Sequence, residues 1–64
     1  MNYKYYACNQ FNERGEYCTH RYIKCPANKN IKDFLNKFEI CYEETEAEHN
    51  RHMPFYQVEI PENA

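Results

Sequence analysis

The stretch Asn30–Tyr42, NIKDFLNKFEICY, decides how the rest of this sequence is read. Ile31, Phe34, Leu35, Phe38, Cys41 and Tyr42 recur at three- and four-residue steps, the spacing that puts side chains on one helical face. The segment holds the only leucine and half of the four phenylalanines, so it has the longest apolar pattern available to nucleate a core. Ile31, Leu35, Phe38, Tyr42, Thr45 and His49 continue the spacing while growing more polar, which predicts one amphipathic helix from Asn30 to about Glu48. Asn30 suits the N-cap, and Asp33 in the first turn suits the helix dipole. A competing reading stops the helix near Asn36 and makes residues 38–44 a strand. Its support is Ile40, which points away from the apolar stripe. The longer helix is preferred, with Phe34 and Phe38 buried against a sheet built from the flanking segments.

Those flanks read as strands. YKYYACNQF (3–11) and YCTHRYIKC (17–25) are rich in β-formers, and between them Asn12 and Gly15 fit a short hairpin loop with a glycine bulge. Pairing Phe11 with Tyr17 and Tyr5 with Ile23 places Tyr3, Tyr5, Ala7, Phe11, Tyr17, Ile23 and Cys25 on the face toward the helix. Pro26 ends the second strand. After a loop at 50–53, Tyr56, Val58 and Ile60 alternate with Gln57 and Glu59 as a half-buried strand that Pro61 stops. The expected class is α+β, a single β-β-α-β domain with one helix on a three-stranded, mainly antiparallel sheet. The alternative is β-β-α-β-β.

Sixty-four residues make one domain. A chain of this size buries roughly 60% of its unfolded surface, and its core supplies about 3–5 kcal/mol of net stability. The net charge of −2 hides an asymmetry. Residues 1–38 carry seven bases against three acids, and residues 39–64 carry seven glutamates against Arg51. Opposite charge on two halves fits internal compensation, an interaction surface or a homodimer. No apolar leader follows the start, and no run approaches the roughly 20 residues a bilayer span needs, so a cytoplasmic protein with reduced thiols is expected. There is no serine or tryptophan, and Asn, Lys, Ile and Tyr, whose codons are AT-rich, abound. The likeness to small phage or mobile-element proteins is one of size and composition only.

Four constellations are candidates for function. On the expected helix, Asp33, Ile40, Glu43, Glu44 and Ala47 fall opposite the core stripe, an apolar anchor framed by carboxylates, as in a protein-binding hot spot. Such a helix suits an inhibitor that occludes a larger protein or imitates DNA phosphates. The other hairpin face interleaves Lys4, Tyr6, His20, Tyr22 and Lys24, a pattern on which single-stranded bases stack. The expected register also brings Cys8 and Cys18 beside His20, a set of zinc-ligand types, although the spacing Cys8-x9-Cys18-x6-Cys25-x15-Cys41 contains no Cys-x-x-Cys. His49 and His52 stand one helical turn apart, as a metal pair or a helix-end cap would. Gly15 is the only glycine, so no glycine-rich loop exists to cradle phosphate or an oxyanion. The expectation is a non-enzymatic protein-binding module without a cofactor. A nucleic-acid accessory protein and a small zinc-stabilised module are the alternatives.

Overall fold

Two long strands joined by a glycine turn make the frame. The computed structural model describes residues 2–64. In it β1 (Tyr3–Phe11) and β2 (Tyr17–Pro26) pair antiparallel. β3 (Glu39–Glu44) joins β1 antiparallel, and β4 (Gln57–Glu59) joins β2 in parallel. Among the described residues the result is a mixed four-stranded sheet of order β3-β1-β2-β4. The helix α1 (Glu46–Asn50) follows β3, and short 3-10 turns lie at Ile31–Phe34 and Pro54–Tyr56. The class is α+β. No helix among the described residues is long and apolar enough to cross a membrane.

The hairpin turn forms as its residues predict. Asn12 Oδ1 accepts from the N–H groups of Arg14 and Glu16 at 2.9 and 3.0 Å, and Gly15 takes φ +79°, which a side chain would resist. The register beyond it differs from the expected one. Phe11 does pair with Tyr17, but Gln10 pairs with Thr19, and Cys18 stands unpaired in a bulge. Every later pair is slipped by one residue, so Cys8 meets Arg21 instead of His20, and Tyr5 meets Lys24 instead of Ile23. A one-residue slip sends each side chain of a strand to the opposite face. The core face therefore combines Tyr6 and Cys8 of β1 with Ile23 and Cys25 of β2. Cys41 and Ile60 complete it, and Ile31, Phe34 and Leu35 cover it.

The helix expected over 30–48 does not form. Asn30 does cap, accepting from the Lys32 N–H at 3.0 Å, but the turn it starts ends after Phe34. Residues 39–44 are a strand, the reading that Ile40 supported. A tertiary demand outweighs the local periodicity. A helix here would strand Arg21, which β2 holds on the core face. In the fold Arg21 donates from Nε and Nη2 to both oxygens of Glu39 at 2.7 Å, and from Nη2 to the Phe34 carbonyl at 3.0 Å. The Asn36 N–H donates to Glu39 Oε1 at 2.9 Å. α1 is a separate, short helix that begins where the sequence Thr45-x-x-Glu48 closes a reciprocal capping box.

The ion pair carries the first prediction. Burial works against charge on Glu39, but the Arg21 hydrogen bonds, the Asn36 N–H and the Arg21 charge outweigh it and hold the carboxyl below its usual range. A carboxylate depressed by folding contributes stability above its unfolded pKa, and that contribution is lost as pH falls through the folded value. Unfolding followed by circular dichroism should show stability falling below about pH 4.5. Glu39→Gln should lower neutral-pH stability by about 3 kcal/mol and flatten the acid dependence.

Candidate functional site

The sheet face opposite the core is built from aromatic rings and imidazoles. Alternation places Tyr5, Ala7, Asn9 and Phe11 of β1 there, with His20, Tyr22 and Lys24 of β2 and Ile40, Tyr42 and Glu44 of β3. α1 and the turn after it cover one half. His49 packs on Tyr5 with ring centroids 4.9 Å apart, His52 stacks on Tyr22 at 3.4 Å, and Tyr56 packs against His20 at 4.4 Å. Gln57 Nε2 donates to the His49 and His52 carbonyls at 3.1 Å, satisfying the end of α1.

Glu44 lies beneath this cover with its side chain 8% exposed, between two imidazoles. Its Oε1 is 2.8 Å from His52 Nε2, and its Oε2 faces His49 Nδ1 at 3.6 Å. His52 hydrogen-bonds to the carboxylate, whereas His49 Nδ1 and Glu44 Oε2 are buried near each other without a hydrogen-bond partner. Among the described residues no three His, Cys, Asp or Glu side chains are grouped to hold a metal ion. The pair His49/His52 thus fastens α1 to the sheet through Glu44 and the tyrosines.

The other half of this face is open. Tyr17, Ile40, Tyr42 and Phe55 are 55%, 58%, 58% and 71% exposed. Tyr17 and Phe55 are linked through partly buried rings: Tyr17 to His20 at 6.2 Å, His20 to Tyr56 at 4.4 Å and Tyr56 to Phe55 at 4.2 Å, with Phe11 against Tyr17 at 6.2 Å. On the β3 side Asn9 Nδ2 donates to the Tyr42 hydroxyl at 3.2 Å. At the hairpin end Phe11, Phe38 and Ile40, with Asn12, Glu13, Gly15 and Glu39, line a cleft of about 480 Å³. Phe38 at its rim has φ +63°, an uncommon conformation for a bulky residue. Gln10 Nε2 secures that turn by donating to the Lys37 and Phe11 carbonyls at 2.6 and 2.9 Å.

The residues expected to form an acidic helix face are dispersed. Asp33 is exposed in the 3-10 turn, and Ala47 is exposed on α1. Ile40 and Glu43 are exposed on opposite faces of β3, and Glu44 is enclosed by the histidines. Ile40 is open to solvent as expected, but on a strand. Lys4 and Tyr6 lie on the core face, and His20, Tyr22 and Lys24 on the other, so the register slip divides the expected nucleic-acid surface. Lys24 sits over the Tyr3 ring at 4.3 Å. The zinc-ligand set separates too. Cys8 is buried beside Arg21 and Cys41, and burial foremost pushes its thiol up to about 12. Cys18 is exposed in the bulge, and His20 is on the far face. Phe38, expected in the core, is 45% exposed. Sequence reading missed Tyr17, Tyr42 and Phe55 as surface residues, because their types signal strands and cores. Comparison with protein-family models, curated proteins and solved structures finds no match to this chain.

Phe38 supplies the prediction for this face. A left-handed L-residue costs about 1–2 kcal/mol that glycine does not, so Phe38→Gly should raise the thermal midpoint by a few degrees while opening the cleft. A large loss of stability in a thermal melt would instead make Phe38 a core residue.

Proposed function

We propose that this chain is a non-enzymatic binding protein that acts by occupying a surface of a larger protein. The observation that supports this most is the open half of the aromatic face. Tyr17, Ile40, Tyr42 and Phe55 are exposed on or beside the sheet face opposite the core, although a fold this small needs apolar area for its core. Tyrosine and phenylalanine are the residue types enriched at the centre of protein interfaces. Among the open-half residues named above only Lys37 is a cation, and its ammonium lies over the Phe38 ring at 5.2 Å. A nucleic-acid surface needs cations to meet phosphates, so protein is the better-supported partner.

The inhibitor reading, in which a phage or mobile-element protein occludes a host protein, draws on composition alone. Its DNA-mimicry version drew on a long acidic helix, and the glutamates have other engagements: Glu39 with Arg21, Glu44 with the histidines, Glu46 with the Tyr5 hydroxyl, Glu48 with the Thr45 cap. Occlusion through the aromatic face is the version we retain.

The test is site-directed photo-crosslinking in extract of the native host. A photoreactive amino acid at Tyr42 or Tyr17 should capture one discrete protein that survives nuclease treatment, and the same probe at Asn28, remote from this face, should not. Ile40→Asp should weaken that complex about 30-fold or more while leaving the melting curve unchanged. Capture of nucleic acid alone, or equal capture from all three positions, contradicts the reading.

A further inference from the structure

The sheet has two unlike edges. β4 is three residues long and flanked by Pro54 and Pro61, a short edge that resists pairing. β3 is six residues long, contains no proline or lysine, and runs against β1 without a bulge. Among the described residues it has no neighbour on its other side. The Phe11 N–H donates to the Phe38 carbonyl, which extends the β1–β3 ladder by one pair and sets its phase. In an antiparallel ladder bonded and non-bonded pairs alternate. Ile40, Tyr42 and Glu44 therefore turn their backbone groups toward β1, and Cys41 and Glu43 turn theirs outward. The Glu39 N–H agrees with this phase, since it donates away from β1 to the Asn36 carbonyl at 3.1 Å.

The side chains along this edge have a two-sided chemistry. On the aromatic face Ile40 and Tyr42 are exposed beside the cleft of Phe11 and Phe38. On the other face stand Glu39, already paired with Arg21, and Glu43, exposed and without an ion pair among the described residues. Of the five glutamates in residues 39–50, which hold no lysine or arginine, Glu43 is the one without a hydrogen-bonded or ionic partner among the described residues. We propose that the outer edge of β3 is a strand-addition site for an extended segment of a partner protein in which apolar residues alternate with lysine or arginine. Backbone groups of Cys41 and Glu43 pair with the incoming strand. Its apolar side chains lie against Ile40 and Tyr42 and enter the cleft at Phe11 and Phe38, and its basic side chains face Glu43. A second copy of this chain is a poorer occupant, because its own β3 brings the same glutamates to the seam. The proposal rests on the protein-binding reading and names the partner's chemistry within it.

The probe is an acetylated, amidated heptapeptide alternating lysine with valine and leucine, titrated into the isotope-labelled full chain and followed by amide NMR. The amides of Cys41 and Glu43 should shift and become protected from exchange. Replacing the peptide's lysines by glutamate should weaken binding about tenfold or more, and Glu43→Lys should reverse that preference. N-methylating one alternate set of peptide amides should abolish binding, and N-methylating the other set should not. Strand addition is overturned by any of three results: no shift at Cys41 and Glu43 up to about 1 mM peptide, shifts confined to α1 or β4, or indifference to both methylation patterns. Shifts of the same amides with protein concentration alone would also overturn it, in favour of a dimer. Where the peptide leaves β3 untouched but photo-crosslinking from Tyr42 still captures a protein, strand addition falls and the binding reading stands.

Discussion

The Arg21–Glu39 pair reaches from β2 to β3 across the strand between them. Glu39 has a side chain only 1% exposed, so its charge is tolerable only because Arg21 and the Asn36 N–H saturate it. Arg21 in turn needs an anion at that position, because the Phe34 carbonyl that its partly buried guanidinium also holds cannot neutralise its charge. One ion pair thus joins the hairpin, the connecting turn over the core, and the outer strand. The burial of Ile31, the half-burial of Phe34 and the outward placement of Ile40 all depend on residue 39 being in that place.

The hairpin was legible in the sequence because its signals are local. Asn12 and Gly15 serve their turn through hydrogen bonds within five residues, and Asn30 caps a turn two residues away. The register was not legible, because the bulge at Cys18 has no local mark. The periodicity of 31–42 misled for a related reason. Apolar residues three and four apart are compatible with a helix, but Ile31 to Leu35 belong to a covering turn and Cys41 to a strand. The partner that separates them, Arg21, is far away in the chain. The helix that does form was announced by Thr45-x-x-Glu48, where a capping box starts a helix that the longer pattern had run straight through.

The candidate site was visible only in part. Ile40 stood out because it broke a pattern, and it is exposed. Its neighbours on the surface are aromatic residues that reach it through sheet pairing and not through sequence. The slip of one residue that hides Cys8 also gathers Tyr5, Tyr22 and Phe11 onto one face and parts Lys4 from His20. A single bulge therefore replaces an alternating basic and aromatic surface with a mainly aromatic one, and divides the residues on which the nucleic-acid alternative rests. α1 covers half of that face through His49 and His52, and the rest stays open next to the free edge of β3.

The account turns on residues 39–44 being a strand beside β1. Directly opposed non-hydrogen-bonded residues in an antiparallel ladder have close Hα atoms, and the register makes Cys8–Cys41 and Tyr6–Glu43 such pairs. Proton NMR of the folded chain should give strong Hα–Hα cross-peaks for both. Helical contacts three residues apart running unbroken from 36 to 48, with neither cross-peak present, would contradict the account and remove the edge, the cleft and the exposed face together.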